Sequence, residues 1–151
     1  MNYGKASLLD LLSIERLERD SFPTEAFNRR LVKNLLINPK SVIIKATIPA
    51  GEIVGDIIGI TKKEHSVSVG RIFSLCVLEE YRKKGIATRL VQLLEEEFCL
   101  RGIKKIRLEV STHNNTARMF YERQGYQKTT VILPNFYNNG TDAFVMNKHL
   151  P

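Results

Sequence analysis

Ser74-Leu75-Cys76-Val77-Leu78-Glu79-Glu80-Tyr81-Arg82-Lys83-Lys84-Gly85-Ile86-Ala87-Thr88-Arg89-Leu90-Val91-Gln92-Leu93-Leu94-Glu95 is the stretch whose reading decides the fold. It opens as an apolar, buried strand, passes through a basic turn containing one glycine, and continues to about Phe98 as an amphipathic helix. Ile86, Leu90, Leu93 and Leu94 share one helical face, extended by Ala87, Val91 and Phe98, while Arg89, Gln92, Glu95 and Glu96 lie opposite. The first turn of a helix carries backbone N–H groups without intrahelical partners and a partial positive charge. Gly85 and Ala87 keep side-chain bulk away from those donors, and Arg82, Lys83 and Lys84 add full charges, so the turn suits a diphosphate. The plain alternative for such a segment is a solvated basic turn.

Toward the N-terminus, a short extended segment near Tyr3–Ala6 precedes Ser7 and Asp10, whose spacing marks the start of a helix running to about Asp20. Ser21-Phe22-Pro23-Thr24 breaks it. Phe27, Leu31 and Leu35 recur every four residues and predict a second helix ending near Asn38-Pro39. From Ser41 the pattern becomes β-branched. Strands are expected over Ser41–Ala46, Ile53–Ile60 and about Ser66–Leu78, joined through Pro49-Ala50-Gly51 and a polar turn at Lys62–His65, as an antiparallel meander.

Toward the C-terminus, Gly102 stops the long helix, and Lys105-Ile106-Arg107-Leu108-Glu109-Val110 alternates strictly as a strand, the second of a βαβ unit. Asn114 or Asn115 caps a further helix carrying Ala117, Phe120 and Tyr121 and stopped by Gly125. Strands near Tyr126–Leu133 and Asp142–Lys148 flank the loop Pro134–Gly140. The order is β-α-α-β-β-β-α-β-α-β-β, in one domain over residues 1–151.

The 151 residues suffice for a single core, burying roughly 70% of the unfolded surface. A net charge of +7 favours anionic partners, whether a phosphorylated cofactor, RNA or a polyanionic surface such as the ribosome. The basic residues are spread along the chain and no aromatic-interleaved nucleic-acid motif is present, so sequence-specific nucleic-acid binding is not expected. Cys76 and Cys99 form no CxxC pair and no histidine cluster accompanies them, so reduced thiols, no bound metal and a cytoplasmic location are expected. No apolar run reaches the roughly 20 residues a bilayer requires, and the N-terminus does not read as a secretory signal.

The element order, with Arg82-x-x-Gly85-x-Ala87 between a strand and a helix, resembles the GNAT N-acetyltransferase superfamily, whose pyrophosphate motif it meets at all three positions. Leu108-Glu109-Val110 followed by Asn114, Phe120-Tyr121-Glu122-Arg123-Gln124-Gly125-Tyr126, and Pro134-Asn135-Phe136-Tyr137 leading to Gly140-Thr141-Asp142-Ala143 are similar to the RimI/Ard1 type of protein N-terminal acetyltransferase. Phe136 stands where a tyrosine is frequent and Thr141 where an acid is usual, departures that bear on the peptide preferred. The resemblance implies a GNAT fold: a mixed, mostly antiparallel twisted sheet of about seven strands flanked by about four helices. It also implies acetyl-CoA as cofactor, with CoA as product.

By the same resemblance, the strand at Leu75–Val77 is splayed from Lys105–Val110, and the backbone N–H of Val77 or Leu75 serves the oxyanion. Such a donor is worth about 3–4 kcal/mol. Arg82, Lys83, Lys84, Gly85, Ile86, Ala87 and Thr88 hold the diphosphate, and Asn114, Ala117 and Tyr121 line the pantetheine arm. Glu109 is implied as general base, directly or through water, where the residues alone allow a salt-bridged carboxylate beside Arg107. Tyr121 is implied as the acid that protonates the departing thiolate, where its spacing from Ala117 alone allows a core ring. Tyr137 is either a packed aromatic or one wall of a peptide slot whose other side is the Phe22-Pro23 loop.

His65, His113 and His149 have no partner at catalytic spacing. Cys76 has nothing electropositive adjoining it apart from the basic turn six residues on, so direct transfer in a ternary complex is expected. The acceptor implied is a protein or peptide N-terminal α-amine, ribosomal proteins among the candidates. A small amine, a lysine side chain, or a non-catalytic basic module docked on the ribosome or RNA are the alternatives.

Overall fold

Ser7 and Asp10 start the first helical segment as their spacing predicts: the Leu9 N–H donates to Ser7 Oγ at 3.3 Å and the Ser7 N–H to Asp10 Oδ2 at 2.9 Å. The computed structural model describes residues 1–25 and 27–151. A short strand β1 (Asn2–Lys5) leads through a 3-10 turn (Leu8–Asp10) into α1 (Leu11–Ser21), and α2 spans Arg29–Ile37. Strands β2 (Ser41–Thr47), β3 (Ile53–Glu64) and β4 (Val67–Val77) follow, then α3 (Ile86–Leu100), β5 (Lys105–Ser111), α4 (Asn115–Arg123), β6 (Gln127–Leu133) and β7 (Ala143–His149). The strands form one sheet in the order β1-β2-β3-β4-β5-β7-β6, antiparallel throughout except for the β4–β5 pair that α3 connects. The expected meander, βαβ unit and element order are all present.

Three boundaries differ from the sequence reading. The first helix opens as the 3-10 turn at Leu8–Asp10. Phe27 lies outside α2, because Asn28 is the cap: its Oδ1 accepts the Leu31 N–H at 2.9 Å, so the helix begins at Arg29. The β3–β4 turn sits at His65–Ser66, both at positive φ (49° and 69°), and not across Lys62–His65, so β3 runs on through Glu64. Two successive positive-φ residues match the twist of the flanking strands.

Helices cover both sheet faces. Against one face α3 and α4 pack Ile86, Leu90, Leu94, Phe98 and Tyr121 onto Ile57, Ile72, Val77, Ile106 and Leu108. Each large apolar side chain buried this way contributes about 1.5–3 kcal/mol. Gly59 and Gly70 let α3 come close: a Cβ at either position would lie 2.7 or 2.6 Å from the Phe98 ring. Against the other face α1 and α2 pack Ile14, Val32 and Leu35 onto Ile43 and Ile58. Among the described residues no helix is long and apolar enough to cross a membrane.

Candidate active site

The parallel pairing of β4 with β5 stops after Gly70↔Ile106, Arg71↔Arg107 and Ile72↔Leu108. A β-bulge sets the stop. Against β3, Gly59 pairs with Ile72 and Ile58 with Ser74, leaving Phe73 as the extra residue. Alternation resets there, so Ile72, Leu75 and Val77 face α3 while Phe73, Ser74 and Cys76 face α1. Among the described residues, the β5-side edge of β4 has no strand partner beyond Ile72. The Leu78 N–H bonds the Val54 carbonyl on the β3 side. Strict alternation along this antiparallel pair therefore turns the backbone groups of Val77 and Leu75 to the open edge. The residues expected to supply an oxyanion donor lie on that splayed edge.

The open edge runs into the basic turn. Lys83 has φ 60° and Gly85 φ 84°, and Gly85 is the helix N-cap with no side-chain cap bond. The N–H groups of the first α3 turn are left as donors, and the Arg89 N–H to Gly85 carbonyl bond at 3.0 Å begins the intrahelical ladder. The charged side chains play lesser parts. Arg82 Nε donates to the Val77 carbonyl at 2.9 Å, which ties the turn to the strand end. Lys84 Nζ stands 5.5 Å over the Tyr81 ring. Thr88 Oγ1 accepts from Gln124 Nε2 at 3.3 Å. An uncapped helix start beside an unpaired strand edge fits the diphosphate and extended amide arm of a CoA thioester.

Across the gap stands α4. Asn114 Oδ1 accepts the Ala117 N–H at 3.0 Å as the helix cap, which leaves its amide N–H₂ to reach a ligand. Ala117 is half-buried against the α3 core. Tyr121 is buried, its ring met edge-on by Phe120 at 5.3 Å and Tyr126 at 5.7 Å. Burial first, then the nearby Tyr137 and Cys76, hold its hydroxyl well above the ordinary phenol range. It therefore keeps its proton at neutral pH.

Glu109 lies opposite Ile106, Leu108 and Val110 as the alternation predicts, but its partner is not chiefly Arg107. Arg71 Nε donates to Glu109 Oε2 at 3.0 Å; Arg107 Nε is 4.0 Å from the other oxygen, and Arg107 instead pairs Glu64. Tyr137 faces this pair. Burial, then the charges of Glu109 and Glu25, push its phenol up to about 12, while Arg71 and a Ser111 backbone hydrogen bond pull the other way. The loop carrying Tyr137 is tied to the loop after α1: the Asn138 N–H donates to Glu25 Oε2 at 3.1 Å and Asn138 Nδ2 to the Thr24 carbonyl at 3.0 Å. Phe22 is half-buried in that loop and Pro23 is exposed.

Several groups escaped the sequence reading. Arg71, Phe73 and Glu25 gave no local motif, and the helical spacing of Phe27 pointed away from the site. A buried acidic group did give a signal, since Glu18 falls on the apolar stripe of α1 with Ile14 and Leu17, and Asp56 interrupts Ile53–Ile60. Both are fully buried: Glu18 reaches in from α1, and Asp56 stands on β3 beside Cys76 of β4. Ser74 Oγ donates to Glu18 Oε2 at 2.6 Å, and Cys76 Sγ lies 3.3 Å from Asp56 Oδ1 and 3.6 Å from Glu18 Oε1. Burial, then the charge and hydrogen bond of Glu18, raise the Asp56 carboxyl well above its usual range; burial and both carboxylates raise the Cys76 thiol. Among the described residues no cation pairs with Glu18 or Asp56, so nothing offsets the cost of burying charge on this pair.

Comparison with known proteins agrees with this geometry. The model of the acetyltransferase (GNAT) family matches residues 8–126, and the chain belongs to that family. It is an acetyl-CoA-dependent N-acetyltransferase by that membership. An uncharacterised N-acetyltransferase of Methanocaldococcus jannaschii is 33% identical over 148 residues, covering 97% of this chain and 90% of that protein. N-alpha-acetyltransferase 30 of Schizosaccharomyces pombe is 41% identical over 75 residues, 50% of this chain and 49% of that protein. Arabidopsis thaliana NAA60 in complex with acetyl-CoA superposes with a TM-score of 0.88 at 21% identity, over 99% of this chain and 98% of that one, a likeness of fold.

Proposed function

We propose that the protein acetylates the N-terminal α-amine of proteins or peptides by direct transfer in a ternary complex. One contact carries this reading: Asn138 ties the Tyr137 loop to the loop after α1, bounding the approach to the open β4 edge on two sides. A chain end enters such a slot more readily than a side chain on a continuous backbone. The chemistry agrees, since an α-amine titrates at about 7.7–8.0 against about 10.4 for lysine and offers far more neutral nucleophile at pH 7. The partial match to an N-alpha-acetyltransferase of fission yeast supports the same acceptor. The charge of +7 suits an acceptor presented on an anionic assembly such as the ribosome.

Acetyl-CoA, when bound, supplies an acetyl group activated as a thioester. The first-turn N–H groups of α3 would hold its diphosphate, with Lys83 and Lys84 adding charge. The Val77 or Leu75 N–H on the open edge would be the donor to the thioester oxygen. Glu109 collects the proton of the attacking amine, and Tyr121 delivers its own proton to the departing sulfur. Arg71 already occupies one Glu109 oxygen, and Glu25, on the loop tied to the Tyr137 loop, is the second reading for that role. Peptides with free and with blocked N-termini, incubated with acetyl-CoA and read by mass spectrometry, test the assignment. Label confined to free N-termini is expected, and equal labelling of blocked peptides would move the acceptor to a lysine side chain.

A further inference from the structure

The half-buried aromatic residues around the acceptor slot are not spread evenly. Phe22 and Phe27 stand with ring centroids 5.8 Å apart, and Phe27 meets Phe73 edge-on at 5.8 Å. Phe73 is the extra residue of the β4 bulge, so it projects to the α1 side beside Ser74 and joins the two loop rings. Each of the three keeps part of its surface in solvent. The Arg71 guanidinium lies 5.4 Å over the Phe73 ring while it binds Glu109, which sets this apolar wall directly beside the carboxylate. Tyr137 lies near the same carboxylates, on the loop that Asn138 ties to Thr24 and Glu25.

Resting on the N-terminal reading, we infer that the acceptor is an N-terminus whose first side chain is large and apolar, of the methionine, leucine or phenylalanine kind. The two ends of such a residue match the two halves of the slot. Its ammonium is drawn to Glu25 and Glu109, and its side chain covers Phe22, Phe27 and Phe73. An alanine or serine leaves that wall wet. An acidic first residue meets two carboxylates, and Arg71, the cation beside them, is already paired with Glu109 and stacked on Phe73. Apolar pockets discriminate by about 10–200-fold for each methylene gained or lost, so a preference of at least tenfold in kcat/KM over alanine is expected.

The test is a set of peptides identical except at the first residue, carrying Met, Leu, Phe, Ala, Ser or Asp. Each is supplied free and Nα-blocked and assayed with the full chain and with Phe27→Ala and Phe27→Leu. Free Met, Leu and Phe peptides are expected at least about tenfold above Ala and Ser in kcat/KM, with Asp slowest. Phe27→Ala is expected to lose more on the Met peptide than on the Ala peptide, shrinking the ratio, and Phe27→Leu to restore much of it. Phe27 lies outside α2, and a melting curve for each variant reports whether it folds. Ala or Ser peptides as fast as Met, or a ratio that Phe27→Ala leaves unmoved, overturns the apolar preference with the α-amine reading intact. Equal labelling of blocked peptides overturns both.

Discussion

Asp56→Asn is expected to stabilise the protein, most of all above neutral pH. In the native protein Asp56 is fully buried, with Oδ1 against Cys76 Sγ at 3.3 Å and no donor on Oδ2. Its folded-state pKa lies above its unfolded value, so folding takes up protons between the two. Stability tied to this group is therefore intact below the ordinary carboxylate range and falls as pH rises toward the folded pKa. Asparagine keeps the acceptor for Cys76 and puts a permanent, uncharged N–H₂ donor beside the Glu18 carboxyl, where an ionised Asp56 offers only acceptors. A hydrogen bond to a charged group is worth about 1.5–3 kcal/mol. At about 2–4 °C per kcal/mol for a chain of this size, Tm is expected to rise by about 3–12 °C at pH 8. The gain is expected to be smaller at pH 5. Urea unfolding of both proteins from pH 5 to 9 measures it, and a variant less stable at every pH, or one keeping the parent's alkaline slope, refutes the raised Asp56 carboxyl as the source of that slope.

Three further substitutions probe the site and its support. Tyr121→Phe removes the buried hydroxyl and is expected to lower kcat by about 10²–10⁴ while leaving acetyl-CoA affinity, measured by calorimetry, nearly unchanged; a variant as active as the parent removes Tyr121 from the acid role. Glu109→Gln is expected to lower kcat/KM most at low pH, where most of the acceptor is ammonium, and more than Glu25→Gln does; the reverse order reassigns the base to Glu25. Gly70→Ala places a methyl 2.6 Å from the Phe98 ring and is expected to cost about 1–3 kcal/mol in urea unfolding, and an unchanged midpoint contradicts the close α3 packing.

The parts of the site legible in the sequence are those built from neighbours along the chain. Arg82-x-x-Gly85 marks an uncapped helix start, Asn114 three residues before Ala117 marks a cap, and the alternation of Lys105–Val110 puts Glu109 opposite the core; the structure shows each. Local signals also mislead. The four-residue spacing of Phe27, Leu31 and Leu35 reads as one helix, yet the cap at Asn28 releases Phe27 to join an aromatic wall. What pairs distant residues left no local trace: Arg71 with Glu109, Ser74 with Glu18, and Asn138 with Glu25 meet only after the sheet has closed. The bulge at Phe73 is likewise invisible in Ser66–Leu78, because it depends on how β3 registers against β4. Glu18 and Asp56 at apolar positions were the exception, a conflict between pattern and charge visible in the chain itself.

The most direct test of the central claim uses one peptide bearing both a free N-terminus and an internal lysine, incubated with the protein and acetyl-CoA and sequenced by tandem mass spectrometry. A single acetyl group located on the α-amine is the result expected. Acetyl on the lysine, with the N-terminus left free, would contradict it.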